Sequence, residues 1–266
     1  MHKNETKNTR SKKRTPKYMM EDTPVITSVA VTSSDTVSAS KINFKEGVEL
    51  SDKQNLLNKL IKKNKIVLAT GPAGSSKTFT ACYTALQLLN DRFCSRIILC
   101  KPTEIVGNSG LGYLKGGLDE KLEPYLESFV SNFAEIVDKK LVDKMIDEKT
   151  IEFVPVQFIR GRTYNYSVVI IDEFQSFDIK ELMAIVTRFG RNNCKMIFIG
   201  DINQSDINKR LVAVDVFDNI LHNIDGVGKF KFEKSDIVRD PIIIEITDRY
   251  EKMKELKQLT PTKGDT

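Results

Sequence analysis

The chain has 266 residues, a formal net charge of +5 and 40% apolar residues, enough for one large α/β domain or two small ones. No apolar run approaches the roughly 18 residues a membrane-spanning helix needs. Two distant histidines, His2 and His222, and four cysteines without a C-x-x-C pair argue against a His-rich metal site, a Ser-His-Asp triad or a disulfide framework. Mg²⁺, which prefers oxygen ligands, is the one metal expected.

Residues 1–20 carry seven Lys/Arg against Glu5, a balance of +6, so the rest of the chain comes to −1. The basic character therefore belongs to the beginning of the chain. No apolar stretch of a secretory signal occurs there, and with reduced cysteines a cytoplasmic protein is expected. Residues 1–45 read as a disordered basic arm, 46–256 as the folded domain and 257–266 as a polar tail. The arm suits either a solubilising tail or sequence-independent contact with nucleic-acid phosphates.

Helical periodicity begins after Leu50. Leu56, Leu57, Leu60 and Ile61 share a face, and Ser51 with Gln54 fits a capping box. Gln54 has a second reading, as a hydrogen-bonding partner of an adenine edge. The apolar run Ile66–Ala69 then leads into Gly71-Pro72-Ala73-Gly74-Ser75-Ser76-Lys77-Thr78, and a helical run from Phe79 leads out. Strand, tight glycine loop, lysine and hydroxyl at a helix mouth make a phosphate cradle: backbone N–H groups face the anion, Lys77 adds charge, and Thr78 can hold Mg²⁺. The usual second glycine of this pattern is here Ser76.

Arg96–Cys100 reads as a second buried strand. Gly107–Gly117, with Tyr113 and Lys115, is too long and too glycine-rich for an ordinary turn and is expected to be functional or mobile. Helices follow over 118–137, with Pro124 starting or kinking one, and over 139–148; Ile151–Val154 is a short strand. Arg160-Gly161-Arg162 is either a solvated turn or a loop facing phosphates. Ser167–Ile171 is a buried strand ending in Asp172-Glu173, where Asp172 is expected to hold the metal and Glu173 to activate a water. A helix over 178–189, ended by Gly190, precedes the strand Lys195–Ile199, which runs into Gly200-Asp201-Ile202-Asn203-Gln204. Gln204 is the candidate sensor of a terminal phosphate. Residues 211–223 read as helix, 230–233 as strand. Asp240-Pro241 opens a last helix on which Ile243, Ile246, Tyr250 and Met253 share a face.

These motifs, with Lys101-Pro102, Leu111–Gly116, Pro124-Tyr125, Arg160–Thr163, Asp172–Gln175, Gly200–Gln204 and Asp236–Pro241 in order, resemble the PhoH-like ATPases, whose core is similar to that of superfamily 1 helicases. The resemblance covers about residues 50–255. It implies an α/β RecA-like P-loop core, a mostly parallel sheet with helices on both faces, ATP and Mg²⁺ as ligands, and an RNA-linked role. Phe174 stands where the family usually has alanine, and Asp240 where it often has histidine.

One such core lacks the second wall that paired cores place over ATP. A homo-oligomeric ring, such as a hexamer, would supply that wall, with Arg188 or Arg239 reaching a neighbour's site. Two functions follow: an ATPase that remodels RNA or other single-stranded nucleic acid, or an ATP-binding switch that hydrolyses slowly or not at all. A small-molecule kinase is a weaker third, with no acceptor site evident.

Overall fold

The computed structural model describes residues 41–102, 118–159, 161–202 and 208–259. The arm at 1–40, the 107–117 stretch, Arg160 and Gln204 lie outside them.

Six strands form one sheet in the order β3-β2-β4-β5-β1-β6, every pair parallel. They are β1 (Ile66–Thr70), β2 (Arg96–Cys100), β3 (Ile151–Phe153), β4 (Ser167–Ile171), β5 (Cys194–Gly200) and β6 (Val227–Lys231). The central strands are apolar along their whole length because both faces are covered. On one face Val67, Ala69, Ile97, Leu99, Val168 and Ile170 meet α1 (Asp52–Lys63), α2 (Lys77–Asn90), α3 (Leu118–Ile136) and α4 (Lys139–Asp147). On the other, Leu68, Ile98, Val169, Ile171 and Phe198 meet α5 (Val156–Ile159), α6 (Ile179–Val186) and α7 (Asn208–Ile220). This is the expected α/β core with helices on both faces.

The capping box at Ser51 and Gln54 is present, and Leu57 and Ile61 are buried. The packed region reaches back before residue 46: Ile42 and Phe44 lie against the core, and Lys45 N donates to Ile136 O. Pro124 lies inside α3. Helix α6 is shorter than the periodicity predicts, ending at Val186; a turn carries the chain through Phe189. Helix α7 starts three residues earlier than expected. The predicted strand over 230–233 is displaced to 227–231, because it pairs in register with β1 from Val227 to Lys231.

The last helix, α8 (Pro241–Leu259), begins where Asp240-Pro241 predicts, with Ile242 N donating to Asp240 Oδ1 at 3.0 Å. Its shared apolar face is not a core face: Ile246 and Met253 are 56% and 59% exposed.

All four cysteines are free and buried. Among the described residues no helix is long and apolar enough to cross a membrane.

Candidate active site

In a parallel sheet every strand delivers its C-terminal end to the same edge, and helix N-termini arrive there too. Strand β5 lies between β1 and β4, so the loop after β1 and the carboxylates after β4 are two strand positions apart. A cavity of ≈ 390 Å³ opens between them. It is lined by Gly74, Ser76, Lys77, Thr78, Asp172 and Glu173, with Asp201 and Arg239 among further contributors.

The loop is pinned from below and behind. Gly71 N donates to Gly200 O at 3.2 Å, and Ala73 N donates to Asp201 Oδ2 at 3.2 Å. Gly71 (φ +145°) allows no side chain, since a Cβ would stand 2.7 Å from the Phe232 carbonyl oxygen. Ser76 has φ 57° and ψ 29° and makes no side-chain cap bond. It holds the left-handed conformation that glycine adopts freely, at a cost of about 1–2 kcal/mol for a residue with a Cβ. The serine has therefore kept the glycine's backbone shape.

Lys77 is 8% exposed. Its Nζ donates to Gly71 O (2.7 Å), Pro72 O (2.8 Å) and Ser75 Oγ (3.2 Å). Burial lowers its pKa, while the charges of Asp201, Asp172 and Glu173 push it back up and Arg239 adds to the lowering. Thr78 Oγ1 stands 3.5 and 3.4 Å from the two Asp172 oxygens. Burial, and then the neighbouring Glu173 charge, push the Asp172 carboxyl up to about 6, with Lys101 and Lys77 opposing. A half-buried hydroxyl beside a buried carboxyl of raised proton affinity is an environment that a hard divalent cation would relieve. The donor set thus fits Mg²⁺ on Thr78 and Asp172, with water completing the shell.

Glu173 has φ 54° and its carboxylate is held. Gln175, 2% exposed, donates from Nε2 to Glu173 Oε2 at 2.5 Å and accepts from Asp201 N on Oε1 at 3.1 Å. One amide therefore ties the end of β4 to the end of β5. Gly200 leaves room for it: a Cβ there would come within 2.2 Å of Gln175 Oε1. Phe174 is fully buried and meets Phe198 edge-on at 6.2 Å, so it acts in packing.

Other predicted residues lie elsewhere. Gln54 Oε1 accepts from Ser51 N at 2.8 Å, the capping reading, and Gln54 is not among the residues lining the cavity. Arg188 is not brought to this cavity. It follows α6, which starts near the site and runs back antiparallel to the strands, so its end lies by Tyr164, whose N donates to Arg188 O. Arg162 pairs with Glu152 at 2.7 Å on the β3 edge. That edge holds a larger cavity, ≈ 860 Å³, without a phosphate loop. Arg239 does reach the nucleotide-sized cavity, from its own chain.

Sequence reasoning gave no role to Gln175, Asp201, Asn132 or Glu135. The first two stand inside the quoted motifs, where a polar residue at a strand end was the available signal. Asn132 and Glu135 wall the cavity from the C-terminal end of α3, and nothing local marks them.

Likeness to solved structures is distant. The large terminase of a thermophilic bacteriophage aligns with a TM-score of 0.47 and 10% identity, over 77% of this chain and 50% of that one. Similarity to curated sequences is far stronger. A PhoH-like protein of Synechocystis is 33% identical over 204 residues, covering 76% of this chain and 62% of its own length. A PhoH-like protein of Bacillus subtilis is 33% identical over 193 residues, 72% of this chain and 60% of its own length. The chain thus spans about three-fifths of the length of these relatives. The family model described as PhoH-like protein matches residues 48–251. That match runs from the helix before the phosphate loop into α8, across every motif around the cavity, and the chain belongs to the PhoH-like family.

Proposed function

We propose that the chain is a Mg²⁺-dependent ATPase whose turnover is coupled to remodelling of RNA or other single-stranded nucleic acid. The observation that carries this reading is the convergence of Lys77, the Thr78–Asp172 pair and the Gln175-held Glu173 on one cavity. Lys77 would leave the loop carbonyls for the β- and γ-phosphate oxygens. Thr78 and Asp172 would hold Mg²⁺, which supplies charge neutralisation on the phosphate oxygens. Glu173 would take a proton from water as the water oxygen bonds to the γ-phosphorus and the bond to the β-phosphate oxygen breaks. Gln204 is proposed as the phosphate sensor, and Gln54 remains the proposed adenine contact. A head-to-tail ring, for example a hexamer, would bring a neighbour's Arg188 over the site. Nucleic acid would meet the basic arm, the 107–117 stretch and Arg160/Arg162. A reducing, cytoplasmic setting suits the four free cysteines.

A second reading, an ATP-binding switch with slow hydrolysis, is favoured by Ser76, whose left-handed backbone stiffens the loop where phosphates approach. Steady-state ATP hydrolysis with and without single-stranded RNA separates the two. In the ATPase reading, RNA stimulates turnover, and Lys77→Ala and Glu173→Gln abolish it, the latter by ~10²–10⁴-fold with ATP binding retained. Binding without turnover in the unaltered protein supports the switch.

A further inference from the structure

Arg239 is the cation in the cavity to which the chemistry above gives no task. Its position is built by a strap that leaves the end of β6 and returns over the phosphate loop. Phe232 N donates to Thr70 O at the root of the loop (2.8 Å), and Val238 N donates to Gly74 O at its tip (3.0 Å). Between them, Asp236 pairs with Lys53 of α1 at 3.8 Å, and Lys234 with Asp248 of α8 at 2.8 Å. Gly74 (φ +85°) accommodates the arginine: a Cβ there would stand 2.7 Å from Arg239 Cδ and Nε. Among the described residues, no side chain pairs with the guanidinium. An arginine laid against a phosphate loop with its donor fork free is pre-set for bidentate contact with phosphate oxygens.

We propose that Arg239 contacts the terminal phosphate of a bound nucleoside triphosphate in cis, from the same chain as the loop, and so makes the position of α8 depend on phosphate number. This rests on the nucleotide reading above and removes Arg239 from the arginines available to a neighbouring subunit. The coupling is short. Asp240 follows Arg239 and caps α8, and Pro241, with its fixed φ, is the first helical residue. On its inner side α8 faces the loop itself: Ile243, Ile244 and Thr247 share a cavity of ≈ 40 Å³ with Pro72 and Ala73. A guanidinium drawn toward a γ-phosphate therefore pulls on a helix that has space to close. The exposed Ile242, Ile246 and Met253 move with it.

The test compares a non-hydrolysable fluorescent ATP analogue with the matching ADP analogue, each with Mg²⁺, on the full chain. Arg239→Ala should weaken the triphosphate ~10–100-fold, the worth of one charge-assisted contact, and the diphosphate less than ~3-fold. Arg239→Lys should recover part of the preference. Equal losses on both nucleotides, or none, overturn the assignment. Lys77→Ala separates this failure from a deeper one: if it binds both nucleotides as the unaltered chain does, the nucleotide reading itself falls. Amide exchange over 241–249 should slow more with triphosphate than diphosphate, and this difference should vanish in Arg239→Ala. Identical exchange with both nucleotides overturns the link to α8.

Discussion

The cavity has two walls of opposite construction. The wall at β4 and β5 is made of buried polar side chains that hold one another: Asp172, Gln175 and Asp201 are each under a tenth exposed. The wall at Arg239 and α8 is exposed, and surface ion pairs with the main-chain bond from Val238 to Gly74 hold it. Exposed ion pairs contribute little, ~0–1 kcal/mol each, whereas a buried polar group that loses its partner costs about 1–3 kcal/mol. One wall is therefore built to keep atoms in place, and the other to change at small cost.

The sharpest way to break the contrast is Gln175→Leu. It strands Glu173 Oε2 and the Asp201 N–H in a buried site, and should lower stability by about 2–3 kcal/mol in urea unfolding. A loss below ~0.5 kcal/mol would mean that the wall is not held as described.

Asp172→Asn should act in the opposite direction. Burial raises this carboxyl from 3.8 to about 6 in the folded chain, so the folded state holds a proton that the unfolded state has released. Stability without metal therefore falls as pH rises from about 4 to 6, by up to ~3 kcal/mol. The asparagine variant should flatten that slope and melt higher above pH 6, while losing Mg²⁺-dependent nucleotide binding. Mg²⁺ binding by the unaltered chain should weaken below pH ~6, as the carboxyl takes up its proton. An unchanged pH–stability profile in Asp172→Asn would remove the carboxyl as its cause.

Ser76→Gly relieves the left-handed backbone and should stabilise by about 1 kcal/mol, seen as a raised Tm. If it also raises turnover, the slow-switch reading loses its main support. The smallest effect is expected on the pliant wall: Ile246→Gln, at an exposed position of α8, should change stability by no more than ~0.5 kcal/mol. A large loss there would show the exposed face of α8 to be structural.

Much of the rigid wall was legible in sequence. The apolar runs at 66–69, 167–171 and 195–199 lead into the loop, the carboxylates and Gly200-Asp201, and a parallel sheet brings such ends together without further information. The capping box at Ser51 was equally local. The pliant wall was not legible in this way. Arg239 meets Gly74 across 165 positions of sequence, and no periodicity encodes which loop a strap crosses. The apolar spacing in α8 marks a shared face but not what covers it: the sheet is already covered by other helices on both faces, and Ile246 and Met253 remain exposed. Gln175 was missed for a related reason: its partners, Glu173 and Asp201, come from two different strand ends.

The strand order also sets a timetable for synthesis. Strand β1 is the first of the described strands to be synthesised, yet its neighbours in the sheet, β5 and β6, are the last two. At 5–20 residues per second, the phosphate loop waits about 8–30 s between the emergence of Thr70 and that of Lys231. Until Gly200 emerges, both edges of Ile66–Thr70 lack their native partners and the loop cannot be pinned to Gly200; the β6 edge stays open until Lys231, and Arg239 follows later still. The nascent chain thus carries an apolar strand with two open edges while residues 71–200 are made, and truncated products ending before about residue 200 should be chaperone clients rather than nucleotide binders.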